Sequence, residues 1–251
     1  MTRATQRISL VLLPGTLNTA VLWQAQVAAL SAHADIHLAD LTQQDSIAAM
    51  ADHVLARMPE GRFALAGFSL GGYVALEIMR RAADRVLALA LINSSARPET
   101  PEGQVGREKT MALAQRDFAR LTSTLIQHML PPERQEDSML VANIRAMMNE
   151  LGAPVFVRQS RVVLARADSR ADLSAIRCPT LIVTGADDKV APPRFSEEMA
   201  AALSDAQLHI LPATGHLSPM ERPEQVTGLM QTWLARAVLP GGPPLHPRRH
   251  Q

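Results

Sequence analysis

Cysteine occurs once in the 251 residues, at Cys178. That excludes an internal disulfide framework and a cysteine-rich zinc site. Lysine is almost as scarce, with two residues against 23 arginines, yet acidic residues interleave with the arginines and the formal net charge is +1. With no basic block inside the part expected to fold, a nucleic-acid partner is not expected. No run approaches the ~18 uninterrupted apolar residues of a membrane span, so no membrane partner is expected either. The opening MTRATQRISLVLLPG sets two arginines before an apolar stretch. That stretch, Ile8–Leu13, is short and runs into Pro14-Gly15 without a small-residue cleavage site, so it reads as a β-strand of a cytoplasmic protein and not as a signal peptide. A chain of this length buries roughly three quarters of its unfolded surface and needs no metal to fold.

What is present are short runs rich in Val, Ile and Leu. Ile8–Leu13, Phe63–Phe68 and residues 87–92, 180–184 and 207–211 read as strands, with 36–41 a weaker candidate. Near-continuous apolar runs suit a parallel sheet buried on both faces. Helical patterns fall between them at 20–30, 46–58, 71–83, 194–203 and 224–237. The alternation predicts an α/β, doubly wound, mostly parallel sheet of about six strands. Residues 97–172 break the pattern, with no convincing strand and helices expected at 109–119, 120–130, 138–151 and 154–166. The expected organisation is a core of 1–96 and 173–238, a helical cap of 97–172 and a disordered Pro/Gly-rich tail of 239–251. The cap carries five methionines, which suit an adaptable apolar pocket wall. Its ten arginines, Arg158, Arg161 and Arg166 among them, also permit a carboxylate-bearing substrate, because a planar guanidinium can grip one bidentately.

The motif that carries chemistry is Gly67-Phe68-Ser69-Leu70-Gly71, at the end of one expected strand and the start of a helix. This is a nucleophile elbow in the strand–turn–helix context it requires. Ser69 can project its Oγ from so sharp a turn only if its neighbours lack bulk, and a helix N-terminus offers N–H groups to an oxyanion. A serine needs a base. Of eight histidines, His216 in Ala213-Thr214-Gly215-His216-Leu217 follows the last expected strand, on the carboxyl edge that also carries Ser69. The base needs a carboxylate to fix its tautomer. Asp187 and Asp188 follow the 180–184 strand on the same edge, and spacing alone leaves both open.

These residues resemble those of the α/β-hydrolases, a broad family of small esterases, non-haem perhydrolases, enol-lactonases and haloalkane dehalogenases. The likeness spans Ile8 to about Val238. Gly185, Asp188 and Pro192 match the family's G-x-x-D-x-x-x-P stretch, so the resemblance implies Asp188 as the acid. Gly215-His216 followed by Glu221-Arg222-Pro223-Glu224 is similar to its G-H…E-R-P-E ending, and Trp23 matches a tryptophan common after the first loop. The family's oxyanion hole implies the N–H groups of Leu70 and Thr16, with Leu17 as the alternative to Thr16. The family's usual histidine in that loop is replaced here by Pro14.

Serine at the nucleophile position separates the chain from relatives that use aspartate or cysteine there. The resemblance implies a cofactor-independent serine hydrolase, with no metal, cleaving a carboxylic ester or related small acyl substrate through an acyl-enzyme. Two rival readings share the scaffold. One is a lyase or acyltransferase acting on a carboxylate-bearing small molecule, and the other is a ligand-binding protein with a vestigial triad.

Overall fold

The structure is a computed structural model that describes residues 7–58 and 60–238. The tail expected to be disordered, 239–251, lies outside the described residues. Six strands, β1 Ile8–Leu13, β2 Ala34–Leu38, β3 Phe63–Phe68, β4 Val86–Ile92, β5 Thr180–Gly185 and β6 Ala206–Leu211, form one sheet in the order β2-β1-β3-β4-β5-β6. Every pairing is parallel. Helices α1 Gln24–Leu30, α2 Ile47–Leu55 and α3 Leu70–Ala82 link the first four strands. Helices α4 Pro101–Arg116, α5 Phe118–Met129, α6 Pro132–Gln135 and α7 Ser138–Leu164 fill the interval between β4 and β5. Then come α8 Pro193–Ala202, α9 Ser218–Glu221 and α10 Pro223–Val238.

Alternate residues of each strand feed opposite faces, as the pleat requires. Leu10, Leu12, Ala64, Ala66, Ala88 and Ala90 point to the face that also buries Trp23 and Trp233. The four alanines leave room for those indoles. Val11, Leu13, Leu65, Leu89 and Leu91 pack on the other face with Met50, Val54, Val74, Ile78 and Met199 from α2, α3 and α8. Burial on both faces explains why the strands read as unbroken apolar runs.

The strand order reverses at β1, which has β2 on one side and β3 on the other. Crevices at the carboxyl edge beside such a switch are where α/β sheets hold ligands. In register, Leu13 lies opposite Gly67, so the loop after β1 sits beside the turn that begins at Ser69.

Several boundaries differ from those the pattern predicts. β2 starts and stops earlier than 36–41, because Asp40 Oδ1 accepts the Thr42 N–H at 2.9 Å and turns the chain away. α4 begins eight residues before 109. Thr100 caps it by accepting the Gly103 N–H at 3.0 Å and Pro101 opens its first turn, so capping outweighs the two glycines that obscure the pattern. The expected break between helices 138–151 and 154–166 is present inside α7, where Gly152 leaves the helical region at φ +76° and ψ 179° and Pro154 follows, so α7 is two helices joined end to end. The short α6 is absent from the sequence reading. Among the described residues, no helix is long and apolar enough to cross a membrane.

Candidate active site

Ser69 sits between β3 and α3 with φ +50° and ψ −114°, outside the regions open to ordinary L-residues. Its backbone is pinned on both sides. The Ser69 N–H donates to Ile92 O at 3.0 Å, while Ser69 O accepts from the Gly72 N–H and the Ser94 hydroxyl, both at 2.9 Å. The flanking glycines answer to space. A Cβ at Gly67 would lie 2.3 Å from Gly71 O, and one at Gly71 would lie 2.3 Å from Leu13 O.

His216 receives its position from three consecutive N–H groups. Gly215 N–H and Leu217 N–H donate to the two oxygens of Glu221, each at 2.8 Å, and His216 N–H donates to Met129 O of α5 at 2.7 Å. So held, the imidazole places Nε2 3.1 Å from Ser69 Oγ and Nδ1 2.8 Å from Asp188 Oδ2. Asp188 is buried, with Oδ1 accepting the Val190 and Ala191 N–H groups at 2.8 and 2.9 Å. The Asn93 amide donates to Oδ2 at 2.9 Å. Burial alone would raise this carboxyl, but the neighbouring His216 and these donors hold it below its ordinary 3.8. Asp187 is exposed, and its N–H serves only to tie the loop to Thr214 O at 2.9 Å. Ser69, His216 and Asp188 thus come together, and Asp187 stays out.

The loop after β1 turns at Gly15–Asn18, with Asn18 N–H donating to Gly15 O at 3.3 Å and Leu17 at φ +55°. The Leu17 N–H is already spent on Gln159 Oε1 of α7 at 2.9 Å, whose amide in turn donates to Leu41 O at 3.1 Å. Thr16 lines the cavity that contains Ser69, and Leu17 does not. Leu70 opens α3, where the first N–H groups have no intrahelical acceptor.

That cavity encloses about 430 Å³, with Phe68, Leu125, Met129, Met148, Phe156 and Val163 forming much of its apolar wall. His128 is the other histidine that lines it, and burial with nearby Lys189 lowers its pKa. Of the arginines considered from sequence, Arg158 donates to Thr42 O, Arg161 is exposed, and Arg166 lines the cavity. Cys178 precedes β5 on the opposite edge of the sheet, and burial pushes its thiol up to about 11, so it is no rival nucleophile.

Asn93, Ser94, Gln159 and Glu221 were given no role from sequence. The polar run Asn93-Ser94-Ser95 directly after a buried strand was a usable signal for the first two. Nothing local marks Gln159. Glu221 was visible only as part of the family's ending. Burial pushes its carboxyl above the ordinary 4.5, against the two N–H donors that favour the charge. The folded state therefore binds a proton more readily than the unfolded one, so stability falls as pH rises from 4.5 through the raised value. Glu221→Gln is expected to flatten that slope in thermal melts. It should also cost ~1–3 kcal/mol at low pH and roughly tenfold in turnover, because a glutamine amide faces one of the two N–H groups with a donor.

Fold and geometry define a class: an α/β protein with a strained serine, a histidine and a buried aspartate at the carboxyl edge of its sheet. The model of the alpha/beta hydrolase family matches residues 10–229, and the chain belongs to that family. It is 29% identical over 233 residues to the pimeloyl-[acyl-carrier protein] methyl ester esterase of Nitrosomonas europaea, covering 86% of this chain and 91% of that one. It is also similar to a malate-bound thermophilic esterase from Thermogutta terrifontis, with a TM-score of 0.82, 26% identity, and 92% and 90% of the two chains covered. The enol-lactonase from Burkholderia xenovorans LB400, at TM-score 0.83, 23% identity and 93% of each chain, shares the fold. The resemblance drawn from the motifs is borne out, as is the six-stranded parallel sheet.

Proposed function

We propose that this α/β-hydrolase cleaves a small carboxylic ester, with Ser69 as nucleophile, His216 as base and Asp188 as its orienting acid. The observation that carries the reading is one imidazole bonded at 3.1 Å to Ser69 Oγ and at 2.8 Å to Asp188 Oδ2. Ser69 Oγ attacks the carbonyl carbon while His216 Nε2 takes its proton. The tetrahedral oxyanion rests on the N–H groups of Thr16 and Leu70. Collapse expels the alcohol, which takes the proton from His216, and leaves an acyl-serine that water cleaves by the same route. Asp188 keeps the histidine proton on Nδ1, so that Nε2 faces Ser69 as an acceptor. No metal or cofactor enters these steps. The esterase activities of the relatives named above support this reading over the lyase, acyltransferase and ligand-binding alternatives.

Helices α4–α7 serve as a cap, a role supported by the apolar side chains α5 and α7 give to the cavity. The apolar stretch Ile8–Leu13 pairs on both sides within the sheet, which supports its reading as a core strand. Commitment of the Leu17 N–H to Gln159 supports Thr16 as the second oxyanion donor. Gln159→Leu would leave the Leu17 N–H and Leu41 carbonyl unpaired. It is expected to lower kcat about tenfold and stability by ~1–3 kcal/mol, read by steady-state kinetics and melts.

The direct test is labelling with a fluorophosphonate, the adduct placed by mass spectrometry. A single adduct on Ser69 is the expected result. A folded sample that stays unlabelled, or is labelled elsewhere, would overturn the proposal.

A further inference from the structure

The cavity wall one helical turn from Ser69 carries a charged cluster that ester cleavage does not use. Tyr73, in the first turn of α3, lines the same cavity as Ser69. The Arg166 guanidinium lies over the Tyr73 ring, 4.7 Å from its centroid. Its side chain is 8% exposed. Nε donates to Arg97 O at 2.9 Å, and Nη1 donates to Glu99 Oε2 at 3.0 Å and to Val163 O at 2.9 Å. That leaves Nη2 without an acceptor among the described residues, and it is not among their sealed, unpaired atoms. Arg107 reaches the same Glu99 Oε2 through Nε at 3.2 Å, and its two Nη groups have no hydrogen-bond partner among the described residues.

Glu99 fixes both guanidiniums but neutralises only one. Burial would raise its carboxyl, yet the two arginines hold it below its ordinary 4.5, so it stays charged. A Cβ at Gly103 would lie 2.3 Å from Glu99 Oε1, so a side chain there would shift the carboxylate. Lys189 and Arg194 add positive charge to the lining and make no ion pair among the described residues. Arg97 contributes less, because Glu198 holds it through two bonds at 2.8 and 2.9 Å. A cleft lined by an excess of one sign concentrates ligands of the other.

We propose that Arg166 and Arg107 form a carboxylate-binding subsite, so that the preferred substrate is an ester bearing a second, free carboxylate: the monoester of a dicarboxylic acid. The inference rests on the ester-hydrolase reading. It gives the free Nη donors an acceptor whose planar oxygens suit a guanidinium. Arg166 also borders a smaller cavity of about 210 Å³ that lacks Ser69, whereas Arg107 lines the Ser69 cavity and not that one. Joint contact with both arginines therefore assigns the carboxylate to the Ser69 side.

The test compares kcat/KM for monomethyl and dimethyl esters of glutaric to suberic acid, reading the ratio of the two so that general losses cancel. At the best chain length, wild type should favour the monoester by about tenfold or more, a preference that shrinks in added salt. Arg107→Gln, in a side chain one quarter exposed, and Arg166→Met should each bring the ratio near one. A ratio near one in wild type, or a ratio unchanged by Arg107→Gln, overturns the subsite. Glutarate should inhibit dimethyl ester cleavage competitively, and non-competitive inhibition would move the anion to the neighbouring cavity and overturn it too. Should wild type cleave neither ester, fluorophosphonate labelling decides the hydrolase reading separately, and a folded sample unlabelled at Ser69 overturns it. Calorimetry with glutarate then decides the subsite: binding lost in Arg107→Gln upholds it, and no binding, or binding that survives the substitution, overturns it.

Discussion

Ser69→Ala is expected to lower kcat by about 10⁴- to 10⁶-fold on any ester the enzyme turns over, while melting temperature and circular dichroism stay those of wild type. The separation of activity from stability follows from the bonding of this one residue. Among the described residues its Oγ has a single partner, His216 Nε2 at 3.1 Å. Its backbone, by contrast, is held by Ile92, Gly72 and Ser94, none of which senses the side chain. Alanine keeps the Cβ and so inherits the strain of φ +50°. Glycine does not, and a strained position of this kind costs on the order of 1–3 kcal/mol. Ser69→Gly should therefore melt higher than Ser69→Ala by a few degrees while being equally inactive. An alanine variant that retained turnover would remove Ser69 from the mechanism. A glycine variant that melted lower than alanine would remove the claim that the elbow stores strain.

The elbow and its strands were legible because their physics is local. A run as short as Phe63–Phe68 with no polar residue suits a strand covered on both faces, and glycines at 67 and 71 mark a turn where a Cβ has no room. The base was legible from topology, since a histidine just after a strand must emerge on the carboxyl edge. Asp188 was separable from Asp187 only by likeness to a family pattern. The physical reason lies in partners distant in sequence, Asn93 and His216, which meet Oδ2 from other strands' ends. Gln159 is the extreme case. It sits on α7 and bonds groups 142 and 118 residues away, so no window of sequence contains the interaction that gives it a role. The start of α4 was hidden for the opposite reason, a local cap at Thr100 outweighing two helix-weakening glycines.

Asp188→Asn should prove nearly as damaging as loss of the serine, with kcat/KM lower by ~10⁴ at neutral pH. The environment dictates how the asparagine must sit. Oδ1 accepts two backbone N–H groups, from Val190 and Ala191, and an amide NH₂ there would face two donors. The amide oxygen therefore takes that side and the NH₂ takes the place of Oδ2, against the Asn93 amide and His216 Nδ1. Nδ1 must then accept, the imidazole proton moves to Nε2, and the ring turns a donor toward Ser69 Oγ where an acceptor is needed. Stability should change in a distinct way. Because the folded protein holds Asp188 below its ordinary 3.8, the carboxylate contributes stability above that value and loses it as pH falls through the lowered one. The asparagine variant should be less stable than wild type at pH 7, with the gap closing below about pH 4. Melts from pH 7 to pH 3, paired with kcat/KM at neutral pH, separate the tautomer argument from simple unfolding. A folded variant with near-normal turnover would show that His216 needs no acid partner at Nδ1.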